Sequence, residues 1–363
     1  MTSKMFSTLD SFDTILSADS VEWCPIENFR DIFVCGTYKL LEKESIDASE
    51  SQKRVGRIYL FQVEHGRLNL LEQLEGAAVL DMKWARSTVS NKILLGVANA
   101  KGMLQIYELI GDSRPCLRFL KQIHIEKPGE VVLALSLDWS MGEQFINNLS
   151  TRITVSVSNG SVHVFELTDE TLEEIKSWHG HEYEAWITAF DYWNPNIIYS
   201  GGDDSKFKSF DIRVDTPVMI NRSHTAGVTS LHSNPGEQFL LASGSYDERL
   251  RLWDTRKLGR PISKTNLEGS VWRLKWNTFE NNYLLAACSH SGFRVLDCKN
   301  IEKPIILAEY NEHESLAYGC DWSFLNSTEL FQRDLYPEPG RQISLVSTCS
   351  FYDHLLNLAI IEF

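Results

Sequence analysis

His290 lies between two serines in the segment 287–292, ACSHSG. An imidazole titrates near neutral pH, so His290 can take a proton from a neighbouring group or from water. A serine hydroxyl on either side can act as a nucleophile once a base activates it. The segment therefore predicts a site for proton transfer, although a histidine at this position can also do no more than fill a turn.

A second candidate site consists of large aromatic side chains that recur at one position of a repeated unit. Trp272 and Tyr318 stand where another copy of the unit has Thr229, and Trp186 enters the same region one copy earlier. Tyr246 and Tyr352 each precede an aspartate in a predicted turn. Several aromatic faces that meet can hold a cation, which predicts a pocket for a cationic group.

Arg273 follows Trp272 directly and adds a positive charge to the same region. Its guanidinium can bind a carboxylate through two parallel hydrogen bonds. We therefore expect Arg273 to contribute to ligand binding beside the aromatic residues.

Other polar residues have types and positions that indicate a structural role. Asp204, Asp247 and Asp353 fall in the turn between the second and third strands of their units, where a carboxylate can accept main-chain hydrogen bonds. His224 and Ser243 can reach the turn of Asp247, and Trp253 closes that unit. We interpret these residues, together with Trp253, as supports of the fold rather than as a catalytic triad.

The elements that position these residues are repeated β-hairpins. Residues 240–256, LLASGSYDERLRLWDTR, contain a strand, a tight turn and a strand, and 197–213 carry a weaker copy. A period of about 43 residues is typical of a β-propeller, in which each repeat forms one four-stranded blade.

Seven blades can be counted from a hydrophobic-polar-aromatic triplet near the end of each innermost strand. The triplets begin at Val21, Met82, Leu137, Phe190, Leu231, Leu274 and Cys320. The chain ends on a third strand, and the N-terminal segment 6–12 can supply the missing outer strand. We therefore predict an all-β, seven-bladed propeller that forms one domain over 1–363, with its ring closed by the N-terminal strand.

Two segments interrupt the repeat, at 41–54 in the first blade and 324–341 in the last. Both are rich in polar residues, and the second carries two prolines. We interpret them as surface loops without regular structure that were inserted between strands. Loop length of this kind is well tolerated, although such loops can also bind partners.

Composition limits the possible functions. A net charge of −14 argues against a nucleic-acid partner, because phosphate binding needs clustered Lys and Arg. The sequence has no secretory pattern and no apolar run that spans a bilayer. Its seven cysteines form no CxxC pair, which indicates reduced thiols without a zinc site. We expect a cytoplasmic monomer that needs no metal or cofactor.

An ordered set of segments makes the chain more specific than a generic repeat. They are 18–25 ADSVEWCP, 181–186 HEYEAW, 199–204 YSGGDD, 244–248 GSYDE, 269–273 GSVWR, 290–293 HSGF and 348–354 TCSFYDH. Together they resemble the diphthine methyltransferase, or diphthine methylesterase, family of WD-repeat proteins over nearly the whole chain. The sequence departs from the pattern at Ala359, where a closing tryptophan is expected.

The resemblance implies hydrolysis of the methyl ester of methylated diphthine on elongation factor 2, with release of methanol, in diphthamide biosynthesis. Diphthine carries a trimethylammonium group, which suits a cage of Trp186, Trp272 and Tyr318, with Asp203 in the same site. On this hypothesis His290 is the base and Ser291 the nucleophile, or His290 activates water directly. The alternative acid–base groups are Glu184, Glu314 and His354. The sequence has no GxSxG nucleophile elbow.

The sequence is also compatible with two other functions. A propeller commonly serves as a non-enzymatic scaffold that binds proteins on its faces. The segment 253–256, WDTR, together with 210–213, FDIR, also resembles the WDxR box of substrate receptors of cullin-type ubiquitin ligases. Binding that depends on Arg256 would distinguish this last function.

Overall fold

The computed structural model describes residues 6–42, 52–125, 131–140, 151–335 and 342–363. They form seven four-stranded antiparallel sheets, and each sheet takes consecutive strands of the chain except the last. The predicted seven-bladed, nearly all-β architecture is therefore confirmed.

The chain begins with β1 (Phe6–Asp13). Blade 1 follows, with β2 (Ser17–Trp23), β3 (Ile32–Leu40), β4 (Arg54–Glu64) and β5 (Arg67–Ala77). Blade 2 comprises β6 (Val79–Trp84), β7 (Ile93–Asn99), β8 (Met103–Ile110) and β9 (Cys116–His124). Blade 3 comprises β10 (Ala134–Trp139), β11 (Thr151–Val157), β12 (Ser161–Leu167) and β13 (Leu172–His179).

Blade 4 comprises β14 (Ile187–Asp191), β15 (Asn194–Gly201), β16 (Phe207–Asp211) and β17 (Met219–Asn221). Blade 5 comprises β18 (Val228–Ser233), β19 (Leu240–Ser245), β20 (Arg249–Asp254) and β21 (Ser263–Asn266). Blade 6 comprises β22 (Arg273–Trp276), β23 (Tyr283–Ala287), β24 (Phe293–Asp297) and β25 (Ile305–Tyr310). Blade 7 comprises β26 (Ala317–Trp322), β27 (Ile343–Ser350) and β28 (Leu355–Glu362), with the helix α1 (Ser327–Gln332) after β26.

The two ends of the chain meet in blade 7. Strand β1 pairs antiparallel with β28, from Phe6 opposite Ile361 to Asp13 opposite Leu355. The last sheet thus has the order β1-β28-β27-β26, and the ring is closed by the N-terminal strand as predicted. Closure protects an outer edge that would otherwise be free to pair with another chain.

The triplets of the innermost strands hold neighbouring blades together. Four indole N–H groups donate at 2.8–3.1 Å to carbonyl oxygens of a neighbouring blade's triplet. The donors are Trp84, Trp139, Trp276 and Trp322, and the acceptors are the carbonyls of Glu22, Lys83, His232 and Lys275. The same rings fill apolar clusters between blades, as Trp276 does against Leu250 and Leu252. The triplet therefore supplies both the core contact and the polar link between blades.

The inserted segment of blade 7 contains an ordered helix, where the sequence predicted a loop. Asn326 caps α1: its side chain accepts from the Glu329 N–H at 3.0 Å, and the Glu329 carboxylate accepts from the Asn326 N–H at 2.8 Å. Leu330 and Leu335 are buried in the cluster that contains Trp23. A capping box and an apolar face explain why these residues fold. Residues 336–341, and 43–51 of the other insertion, lie outside the described residues.

Candidate functional site

Each blade has one residue, within its innermost strand or directly before it, at the same end of the central channel. In five blades a register shift leaves this residue unpaired, as with Thr229 between the Val228–Ser245 and Ser230–Gly244 pairs. The equivalent residues are Asp19, Leu80, Leu135 and Tyr318. The pairs Ile187–Gly201 and Arg273–Ala287 place Trp186 and Trp272 at the same position. β-Bulges re-aim side chains in this way next to functional sites. We call these seven residues the rim.

Three aromatic rings meet on one side of the rim. The Trp186 and Trp272 ring centroids are 5.8 Å apart. The Tyr246 ring lies 6.3 Å from Trp186 and 5.9 Å from Trp272. Trp186 meets the other two rings edge to face, at 61° to Trp272 and 81° to Tyr246, whereas Tyr246 and Trp272 lie at 30° to each other. A cation over a ring face of this cluster would lie within about 6 Å of that ring, the range of cation–π attraction. The arrangement can hold one compact cation.

Two carboxylates border these rings. The Trp186 indole N–H donates to Asp203 Oδ1 at 3.0 Å, and the Asp203 N–H donates to the Glu184 carbonyl at 2.9 Å. Burial, with the nearby charges of Asp203 and Glu184, raises the pKa of the Tyr246 hydroxyl. Gly227 permits this packing, because a Cβ there would lie 2.7 Å from Asp203 Oδ1. The local field therefore favours a positive ligand.

The aromatic surface continues into blade 7. Tyr318 packs on Trp272 at 4.6 Å, Phe351 on Tyr318 at 4.8 Å, and Tyr352 on Phe351 at 5.0 Å. Tyr352 is 70% exposed. Phe351 lies in the family segment 348–354, and its contacts add it to this run of rings, Trp272, Tyr318, Phe351 and Tyr352, which we call the aromatic arc.

Asp19 is the titratable rim residue that sequence reasoning missed. It is 4% exposed, and no hydrogen bond joins its carboxyl to another described residue. Burial raises the pKa of Asp19 to about 8, with the Arg273 charge opposing this shift and the Asp81 charge adding to it. The Asp19 carboxyl is therefore mostly protonated near neutral pH. An alignment of β2 with the innermost strands that carry Trp272 and Tyr318 would have found it.

The Arg273 side chain forms an ion pair with another residue of the same chain. Its guanidinium lies 3.4 Å from the Asp81 carboxylate, and both side chains are buried in the channel. The sequence suggested that Arg273 binds a ligand carboxylate. The structure instead pairs it across the ring, from blade 6 to blade 2, near Asp19.

His290 and Ser291 lie in the turn between β23 and β24. This turn is next to the rim, because the Ala317 N–H donates to the Ser289 carbonyl at 2.8 Å and Tyr318 follows Ala317. The His290 side chain is exposed. The Ser291 hydroxyl donates to the Glu268 carbonyl at 2.6 Å, so its proton points away from a histidine base.

The two remaining acid–base candidates occupy neighbouring turns of blade 7. Glu314 is exposed, and its N–H donates to Asp353 Oδ2 at 3.0 Å. The His354 carbonyl accepts from the Thr14 N–H at 2.9 Å, which ties its turn to the link between β1 and β2. No described contact joins either side chain to the aromatic rings.

The residues interpreted as structural form a buried network in blade 5. His224 Nε2 and Trp253 Nε1 both lie 2.8 Å from the Ser243 hydroxyl, and Asp247 lies 3.3 Å from His224 Nδ1. In blade 4, Asp204 lies 2.9 Å from His181 Nδ1 in an equivalent arrangement. These groups are enclosed by protein, so their hydrogen bonds tighten turns.

No cluster of three or more potential metal ligands occurs within the described ranges. The seven cysteines are all free thiols. In the described part of the chain, no helix has both the length and the apolar content needed to cross a bilayer.

Comparison with known proteins shows which family model and which relatives this chain is similar to. The model of the WD domain, G-beta repeat, matches residues 215–254. The chain is 40% identical to diphthine methyltransferase of Mus musculus over 334 residues, covering 87% of this chain and 69% of that protein. It is 34% identical to the diphthine methyltransferase homolog of Dictyostelium discoideum, covering 95% and 96% of the two chains.

A solved structure shows the same fold. A chain of the crystal structure of the mitotic checkpoint complex matches with a TM-score of 0.69 over 97% of this chain and 91% of that one. Their sequence identity is 15%, so this likeness concerns architecture alone.

Proposed function

Because the chain belongs to the diphthine methyltransferase family, we propose that it acts in diphthamide biosynthesis as a carboxylic ester hydrolase. Its substrate would be the methyl ester of methylated diphthine on elongation factor 2. Water would replace the methoxy group, giving a carboxylate, methanol and a proton. The observation that supports this proposal best is the cluster of Trp186, Tyr246 and Trp272 beside two carboxylates.

The trimethylammonium group of diphthine is a quaternary cation that has no N–H and so cannot donate a hydrogen bond. Aromatic faces attract such a cation through their quadrupoles without needing a donor. Asp203 and Glu184 add negative charge at the border of the rings, and Tyr318 extends the surface toward Asp19. Binding of the cation here would bring the ester end of diphthine over the rim.

Hydrolysis needs a base for water and a proton for the leaving methoxide. We assign the base to His290, which lies in the turn beside the rim. Asp19 is protonated near neutral pH and can give its proton to the methoxide oxygen as the C–O bond breaks. We assign no nucleophilic role to Ser291, because its hydroxyl already donates to a carbonyl.

The test is a mass measurement on elongation factor 2 that bears methylated diphthine. The purified chain should remove one ester methyl group and release methanol. Trp272→Ala should slow this strongly, whereas Phe119→Ala, an exposed aromatic on blade 2, should not. An unchanged substrate that nevertheless binds tightly would indicate a scaffold, and His290→Ala with full activity would exclude His290 as base.

A ligase adaptor is the second candidate partner. Arg256 and Arg213 are each held by the aspartate two residues earlier, at 2.8–2.9 Å for Arg256 and 2.6–2.9 Å for Arg213, at the ends of β20 and β16. Both guanidinium groups are mostly exposed and stand in adjacent blades. A pull-down with the adaptor should lose enrichment in Arg256→Ala, and enrichment that does not change would count against this function.

A further inference from the structure

A separate cavity of about 420 Å³ lies at the end of the channel opposite the rim. Its lining includes the middle residues of six triplets, which lie about 10 Å further along the innermost strands than the rim. A cavity of this size suits a small molecule. We call it the lower cavity, and the proposed esterase reaction makes no use of it.

The hydrogen-bond pattern of His232 determines which ring nitrogen carries the proton. The Trp276 main-chain N–H donates to His232 Nδ1 at 3.0 Å, so Nδ1 is an acceptor. Burial, together with the charges of Arg86 and Lys275, lowers the pKa of His232 well below its usual value. The ring is therefore neutral, and its proton is on Nε2.

Arg86 brings a second donor to the same place. Its Nη2 lies 3.4 Å from His232 Nε2, and its guanidinium stacks on the Tyr192 ring at 4.2 Å. An arginine keeps its charge in proteins, so Arg86 Nη2 carries protons, as His232 Nε2 does. Neither of these two nitrogens can accept a hydrogen bond from the other. Two donors that converge in this way are satisfied by one acceptor held between them.

Most other charges of the lower cavity are paired. Lys275 pairs with Glu22 and with Asp321, Lys83 with Asp81 at 2.8 Å, and Arg30 with Glu329 at 3.5 Å. The Asp138 carboxylate accepts from the Phe190 N–H at 2.8 Å. Among the described residues no ion pair involves Arg86, although the Asp138 and Asp321 charges act on it and its side chain hydrogen-bonds to Tyr192. Its Nη2, next to His232 Nε2, can therefore still donate to a ligand.

We propose that the lower cavity binds a small-molecule oxyanion, a carboxylate or a phosphate, with one oxygen bridging Arg86 and His232 Nε2. The charge-assisted hydrogen bond from Arg86 provides affinity, and the Nε2–H of His232 adds direction. The aromatic walls formed by Tyr192 and Trp276 accommodate the body of the molecule.

The probes are inorganic phosphate and benzoate, titrated into the whole chain at constant ionic strength, with chloride as the control. Binding should saturate, raise the melting temperature and shift the NMR signal of His232 Nε2. Saturation by phosphate supports a phosphate ligand, and saturation by benzoate a carboxylate. Arg86→Gln should weaken binding by about tenfold or more, as expected for a charge-assisted hydrogen bond.

Arg256→Gln provides the matched control, because it removes an exposed arginine on the surface of blade 5 and should bind as the parent does. Ester hydrolysis by Arg86→Gln should be unchanged, which separates this proposal from the proposed function. No saturable effect beyond chloride would overturn the proposal. Saturable binding that does not shift the His232 signal would overturn the proposal too. This measurement uses the parent chain, so it decides the matter even if Arg86→Gln fails to fold.

Discussion

The rim and the lower cavity are built from the same seven strands but present opposite chemistry. At the rim, aromatic faces border Asp203 and Glu184, so the site favours a cation. In the lower cavity, Arg86 and His232 present two donors, so the site favours an anion. A net charge of −14 predicts neither property. Local pairing of charges, rather than their total, decides what each end of the channel can bind.

The largest effect should come from the buried carboxyl of the rim. Asp19→Asn keeps the size of the side chain but cannot transfer a proton, so kcat should fall by about 100-fold. Asp138→Asn, a matched change of a buried channel carboxyl at the lower cavity, should leave kcat unchanged. Equal losses in both variants would show that the two ends do not act separately.

Removal of one aromatic wall should have the next largest effect. Trp272→Ala should lower kcat/KM by roughly 30-fold, because a desolvated cation–π contact contributes about 2 kcal/mol. Tyr352→Ala should change it less, since that ring is mostly exposed and borders only the far side of the arc. Kinetics with the modified elongation factor would measure kcat/KM of both variants. A larger loss in Tyr352→Ala than in Trp272→Ala would place the cation near Tyr352.

The same carboxyl should make stability depend on pH. Asp19 has a pKa near 3.8 when unfolded and about 8 when folded, so the folded chain holds a proton that the unfolded chain releases. Its contribution to the free energy of unfolding is therefore fully favourable below about pH 4 and is lost as the pH rises toward 8. Urea unfolding at pH 5 and pH 8 would give the free energy of unfolding of the parent and of Asp19→Asn. Relative to the parent, the variant should be more stable at pH 8 than at pH 5. A constant difference between the two proteins would contradict the raised pKa.

The smallest effect should come from Ser291. If His290 activates water, Ser291→Ala should leave kcat unchanged and lose one hydrogen bond to Glu268, worth about 1 kcal/mol of stability. A burst of methanol in rapid-quench kinetics of the parent that disappears in Ser291→Ala would instead indicate a covalent intermediate on this serine.

Much of the fold was predictable because its signals are local. The triplet ending in Trp84, Trp139 or Trp276 recurs at the end of an innermost strand, and period-two alternation marks the strands between. The position of β1 opposite β28 was predictable as well, because the repeat lacked one strand. Helix α1 was missed because its apolar residues are few and its turn signals resemble those of a loop.

The candidate site was only partly predictable. Departures within the repeat predict Trp186, Trp272 and Tyr318, and a position before a turn aspartate predicts Tyr246. The structure brings the four rings together. Asp19 was missed because a carboxyl in a strand has no special appearance in one sequence. Its importance comes from burial beside Arg273 and Asp81, which lie in other blades.

By itself, the sequence determined the repeat, the number of blades and the family segments, because each is a pattern of neighbouring residues. It determined the closure of the ring as well, because the last repeat lacks one strand. Only the tertiary structure decided that Arg273 pairs with Asp81, that the Ser291 hydroxyl faces a carbonyl, and that Arg86 meets His232. These outcomes depend on distances between side chains from different blades or from different turns. Closing the ring sets those distances. They determine how far a group is desolvated, which shifts its pKa, and whether its charge is paired within the protein or available to a ligand.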